Sequence, residues 1–153
     1  DHRIVLEKLN VLDQTINNIK SQDAKKTLED LKLFIKKEME VHFTKEEDAL
    51  FPEIEKFMPR EAGPLGVMLM EHEDLYKYED NLVRGIDLFI KNESNGEAIK
   101  LIKENGTNYI NLLREHIYKE DNMLFMMADM HLEEDQIKEI MRKFEELDKK
   151  QLV

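Results

Sequence analysis

Two stretches of this chain repeat one another. His42-Phe43-Thr44-Lys45-Glu46-Glu47-Asp48-Ala49-Leu50-Phe51 and His116-Ile117-Tyr118-Lys119-Glu120-Asp121-Asn122-Met123-Leu124-Phe125 both read H-x-x-K-E-[ED]-x-x-L-F. A His and a Glu four positions apart on a helix lie one turn apart on the same face. Each copy follows an acidic-His pair, Asp1-His2 or Glu71-His72, whose histidine lies 40 or 44 residues before the repeat histidine. Each half of the chain therefore offers one His on a first helix and HxxxE on a second. The candidate metal ligands are His2, His42, Glu46, His72, His116 and Glu120.

A carboxylate on a core-facing stripe is costly unless it is paired or bound to metal. Carboxylates bridge two hard cations, and imidazoles serve as terminal ligands for iron. Four imidazoles with two carboxylates suit a pair of iron ions, and helical-bundle cores host such pairs. The ExxH spacing of ferritin-like di-iron bundles is absent: Met39, Leu69, Leu113 and Ala128 stand three residues before His42, His72, His116 and His131.

The elements that must position these groups are helices. Gly and Pro are few, and long periodic stretches lie between them. A first helix is expected over about 1–20, with His2, Val5, Leu9, Leu12, Ile16 and Ile19 inward. Ser21-Gln22-Asp23 reads as a turn with an N-cap. A second helix, about 24–50, carries Leu28, Leu31, Ile35, Met39, His42, Glu46 and Ala49 on one face. Pro52 is expected to break or restart it, with a short piece over 53–58, and Pro59 to Pro64 reads as a linker. A third helix, about 65–91, has the stripe Leu65, Met68, His72, Tyr76, Glu79, Val83, Ile86 and Ile90. A fourth, about 97–128, has Ile102, Gly106, Tyr109, Leu113, His116, Glu120, Met123 and Met127. Asn105-Gly106 predicts a kink or a close helix contact, with a break as the alternative. A fifth segment, about 133–147, has a face of Ile137, Ile140, Met141, Phe144 and Leu147 and is expected to pack outside the others. The expected fold is all-α: an antiparallel up-and-down four-helix bundle over about 1–128, with an accessory C-terminal helix over about 133–149. All 153 residues form one domain in this reading.

Bulk properties narrow the function. Lys and Arg total 23 and Asp and Glu 34, a net charge of -11 spread along the chain. Such a surface repels phosphate backbones and anionic lipid, so neither nucleic acid nor membrane is an expected partner. The absence of cysteine excludes disulfides, thiolate zinc sites and iron–sulfur ligation within this sequence. No apolar run approaches the ~20 residues of a membrane span and no signal-peptide pattern opens the sequence, so a cytoplasmic location is expected.

The pattern H…HxxxE…H…HxxxE, from His2 to about Phe125, resembles the hemerythrin-like (HHE cation-binding) family. The resemblance implies a four-helix bundle and a non-haem centre of two iron ions with an oxo or hydroxo bridge. The ligands would be the six residues above, with Glu46 and Glu120 bridging. It implies dioxygen or nitric oxide as small ligands. In oxygen-carrying hemerythrins the third helix bears HxxxH and the fourth a longer spacing to Asp. Here Tyr76 stands in His72-Glu73-Asp74-Leu75-Tyr76, and HxxxE stands on the fourth helix. The resemblance therefore does not extend to reversible oxygen carriage. Tyr76 and, one turn on, Glu79 are candidates for an additional ligand or site contact. Glu47, Asp48, Asp121 and His131 read as solvated, Glu71 and Glu115 as surface charge with orientation of the ligating imidazoles as the alternative, and the methionines at 123, 126, 127 and 130 as adaptable core packing. Binding or sensing is the expected function, in preference to catalysis. The alternatives are peroxide or nitric oxide turnover, iron–sulfur repair, iron storage or sensing, and a purely structural metal.

Overall fold

The computed structural model describes residues 2–61 and 63–151. Every regular element among them is helical: α1 (His2–Asn17), α2 (Ala24–Phe34), a π-helical turn (Ile35–Met39), α3 (Glu40–Lys45), a second π turn (Glu46–Leu50), α4 (Phe51–Glu55), α5 (Gly63–Lys91), α6 (Gly96–Lys119), a third π turn (Glu120–Leu124), α7 (Phe125–His131) and α8 (Glu134–Gln151). Asn95 caps α6, its Oδ1 accepting from the amides of Glu97 at 3.0 Å and Ala98 at 3.2 Å. Gly63 opens α5 with φ +72°, a left-handed conformation that glycine adopts without steric cost.

The chain divides into two compact units, and the divisions fall inside continuous helical stretches. The first unit joins the residues up to Ile35 with Glu73–Ile117. In it α1 packs on α2, burying Val5, Leu9, Leu12 and Ile16 on one side and Leu28 and Leu31 on the other. The helix α6 runs unbroken through Asn105-Gly106. Close contact is the realised outcome there, since a Cβ on Gly106 would lie 2.5 Å from Ile16 Cδ1. A Cβ on Gly85 of α5 would lie 2.9 Å from Leu101 Cβ and 3.2 Å from the Ile102 amide nitrogen of α6. Backbones approach this closely only where one side has no side chain.

The second unit joins Lys36–His72 with Tyr118 onward. Its apolar core gathers Phe51, Ile54, Leu65, Met68, Leu124 and Ile140, among others. Pro52 does not end the second helical stretch. It sits in the first turn of α4, where its missing N–H costs no bond, directly after the π turn that closes with Phe51 N–H on the Glu46 carbonyl. The equivalent bond, Phe125 N–H to the Glu120 carbonyl, closes the π turn after α6.

These wide turns move the buried face. Along α6 and up to Glu120 the expected stripe is the buried one. Beyond it Leu124 and Ala128 are buried, one residue later than the expected Met123 and Met127. A turn closed by i→i+5 bonds holds one residue more than an α-turn and so shifts every later position around the axis. The methionines are accordingly not core: Met123, Met126 and Met130 are 49%, 58% and 79% exposed, and Met127 is only partly buried, against the core cluster. On α8, Ile140 is buried while Ile137 and Met141 are exposed. That helix packs on α3, where Lys45 pairs with Asp148 at 2.7 Å and lies 5.6 Å from the Phe144 ring centroid.

Glu53 of α4 is buried, accepting from Lys56 Nζ at 2.8 Å and Gln136 Nε2 at 3.1 Å. The Lys56 bond, reinforced by that from Gln136, holds its carboxyl below the ordinary 4.5 against the opposing effect of burial. A lowered folded-state value gives stability that is present above the unfolded value and lost as pH falls through the folded one. Urea midpoints for Glu53→Gln are therefore expected to fall less steeply than those of the parent below about pH 4.5. Parallel curves would refute the assignment.

Candidate metal centre

Four of the six sequence-predicted ligands fall in the second unit: His42 in α3, Glu46 and Glu120 each opening a π turn, and His72 in α5. Ligand atoms of His42, Glu46 and Glu120 all lie within 4.8 Å of one another. The two oxygens of Glu46 are divided between two imidazoles. Oε2 is 3.2 Å from His42 Nε2, and Oε1 is 3.1 Å from His72 Nε2. Two donors bound at right angles to one ion, each ~2.1 Å from it, stand ~3 Å apart. Each oxygen–nitrogen pair therefore has the separation of neighbouring ligands on one ion, and a single carboxylate serves two such pairs. Glu46, Glu120 and His72 are all buried, and the His42 side chain is 17% exposed. The donor set fits a hard-to-borderline cation, and these residues could hold a metal ion.

His72 is gripped on its other edge as well. Its Nδ1 lies 3.1 Å from Glu47 Oε2. Glu47 is thus a partner of a candidate ligand and not the solvated residue its sequence position suggested. The rings of Phe43 and Phe51 stand 4.6 and 5.4 Å from that of His72, walling it with apolar surface. Beside it, Glu71 is buried and accepts from Lys119 Nζ at 2.8 Å, which corrects its reading as surface charge.

The remaining candidates fall in the first unit. His116, near the end of α6, is fully buried, and His2 at the start of α1 is half-buried. On α5 the buried face after His72 runs through Leu75, Leu82, Ile86 and Phe89. Ile86 is buried as expected, but Leu75, Leu82 and Phe89 take the core one position before the expected Tyr76, Val83 and Ile90, leaving Tyr76 36% exposed and Glu79 half-buried. Glu79 Oε1 accepts from the buried Tyr109 hydroxyl at 2.6 Å. Burial first, then the Glu79 charge and this bond, raises the Tyr109 phenol well above its usual range. His131 is exposed and stacks on Phe57, 4.8 Å between centroids.

Sequence reasoning missed Glu47, Phe43, Phe51 and the Glu79–Tyr109 pair. The [ED] position of the repeat was a signal for Glu47, because an acid follows the ligand carboxylate in both copies.

The profile of the hemerythrin HHE cation-binding domain matches residues 1–128. An iron–sulfur cluster repair protein, YtfE of Salmonella schwarzengrund (strain CVM19633), is 34% identical over 93 residues, 60% of this chain and 42% of that protein. The aligned part is thus less than half the length of that relative. No solved structure matches.

Proposed function

The chain belongs to the hemerythrin HHE cation-binding domain family, and from that premise we propose that it is a non-haem di-iron domain that binds or senses dioxygen or nitric oxide. The ligands in this reading are His2, His42, Glu46, His72, His116 and Glu120, with Glu46 and Glu120 bridging. The fold is the antiparallel four-helix bundle over about 1–128 with α8 added, and the location is cytoplasmic. The single observation that carries the reading is Glu46, whose two oxygens each meet a different imidazole nitrogen at 3.2 and 3.1 Å. A single-ion site needs no such division.

When bound, an oxo- or hydroxo-bridged iron pair supplies one-electron redox steps and open positions for a diatomic ligand. The chain's own part is positioning. Glu46 presents one oxygen to His42 and the other to His72. Phe43 and Phe51 keep water from the His72 ring and lower the local dielectric, which strengthens charge interactions there. The Glu71–Lys119 pair fixes the helix neighbours of His72 and Glu120 against one another.

The likeness to an iron–sulfur cluster repair protein favours a second reading, a di-iron role in nitric oxide or peroxide turnover or in cluster repair. Anaerobic purification with metal analysis, followed by optical spectra as air is admitted, separates the readings. About two irons per chain with an absorption change that reverses on removing oxygen supports oxygen binding or sensing. About two irons with irreversible oxidation moves the assignment to turnover or repair. A protein that retains no iron refutes both.

A further inference from the structure

We propose that Glu47 is a positioning residue of the metal centre, fixing the ring and tautomer of His72 and thereby the retention of the ion that His72 binds. The inference rests on the metal-centre reading and adds to it a residue outside the ligand motif.

The geometry is a clamp on one imidazole. Glu46 Oε1 lies 3.1 Å from Nε2 and Glu47 Oε2 lies 3.1 Å from Nδ1, so consecutive residues hold opposite edges of the same ring. Side chains of adjacent helical residues ordinarily diverge by about 100°. Both residues lie in the π turn Glu46–Leu50, whose larger circumference narrows that divergence. With Glu47 accepting from Nδ1–H, the lone pair of His72 is confined to Nε2, the nitrogen facing Glu46. A carboxylate on the distal nitrogen also makes the imidazole a stronger donor. The His72 side chain is 2% exposed and lies against the Phe43 and Phe51 rings. The Glu47 side chain is 33% exposed, so it reaches the ring from the solvent side.

The test compares Glu47→Ala and Glu47→Gln with the parent as iron-loaded proteins, reading iron transfer to a ferrous chelator. The Zn2+-loaded forms are compared by NMR for the His72 Nδ1–H signal. The amide of Glu47→Gln keeps an acceptor in place. Glu47→Ala is expected to weaken iron retention roughly 10–100-fold and to lose the slowly exchanging Nδ1–H signal, while Glu47→Gln stays near the parent in both. A Glu47→Ala protein that matches the parent overturns the proposal and leaves the metal centre standing. Equal losses in both variants overturn it too, because the retained acceptor would then rescue nothing. If Glu47→Ala fails to fold, Glu47→Gln decides alone: loss of its Nδ1–H signal overturns the role. A parent that holds no iron refutes the metal centre and this inference together.

Discussion

Glu46→Ala is expected to lower bound iron from about two ions per chain to one or none. Each oxygen of Glu46 faces a different imidazole nitrogen, so the truncation removes a donor from both positions at once. Stability separates this effect from simple damage. A ligand that binds only the folded state stabilises it by about 2.7 kcal/mol at one hundred times its Kd. The parent should therefore melt at a higher temperature with iron than without, and that gap should close in the variant. The apo form should suffer little, because the change removes a buried carboxylate that is costly without metal. Metal content after desalting, with melting curves with and without iron, makes the measurement. A variant that keeps both its iron and its iron-dependent stabilisation would sink the ligand assignment.

Phe43→Ala is expected to destabilise the fold by about 3–5 kcal/mol, the usual cost of truncating a buried aromatic side chain. Phe43 is fully buried on α3, immediately after His42, with its ring 4.6 Å from that of His72 and 5.8 Å from that of His42. For a chain of this size the loss corresponds to a melting temperature lower by roughly 6–20 °C. The same truncation opens a void beside His72, so iron release should quicken along with the loss of stability. Phe43→Leu keeps most of the volume and should recover most of the stability. A melting temperature within about 2 °C of the parent for Phe43→Ala would show that the ring is not a core element.

Much of this was legible in the sequence because it depends on short-range periodicity. The turn at Ser21-Gln22-Asp23, the long helix over about 65–91 and the buried Leu9, Leu12 and Ile16 follow from the spacing of apolar residues and breakers. The motif residues Glu46, His72, His116 and Glu120 lie on buried faces as their spacing requires. What could not be read depends on a change of period or on long-range partners. Met123 and Met127 sit on the inward stripe of an ideal 3.6-residue helix, and only the π turn at Glu120 carries them off it. Pro52 reads as a break until that extra residue in the preceding turn is known. Glu47 is set apart from Asp48 in sequence only by the acid at its repeat position, Asp121, and its role shows only in its 3.1 Å approach to His72, 25 residues away.

The paired π turns also govern how this chain tolerates insertion and deletion. Each behaves as a built-in one-residue insertion in a helix that otherwise keeps a regular phase. Removing one residue from Glu46–Leu50 or Glu120–Leu124 would let the turn close as an unbroken α-helix while leaving everything downstream on its present face. Leu124 and Ala128, or Phe51 and Ile54, would then stay on the core side with the wide turn gone. Length at these two places is therefore adjustable by one residue as it is not elsewhere in the helices, and a deletion scan would reveal it where a substitution scan would pass over it.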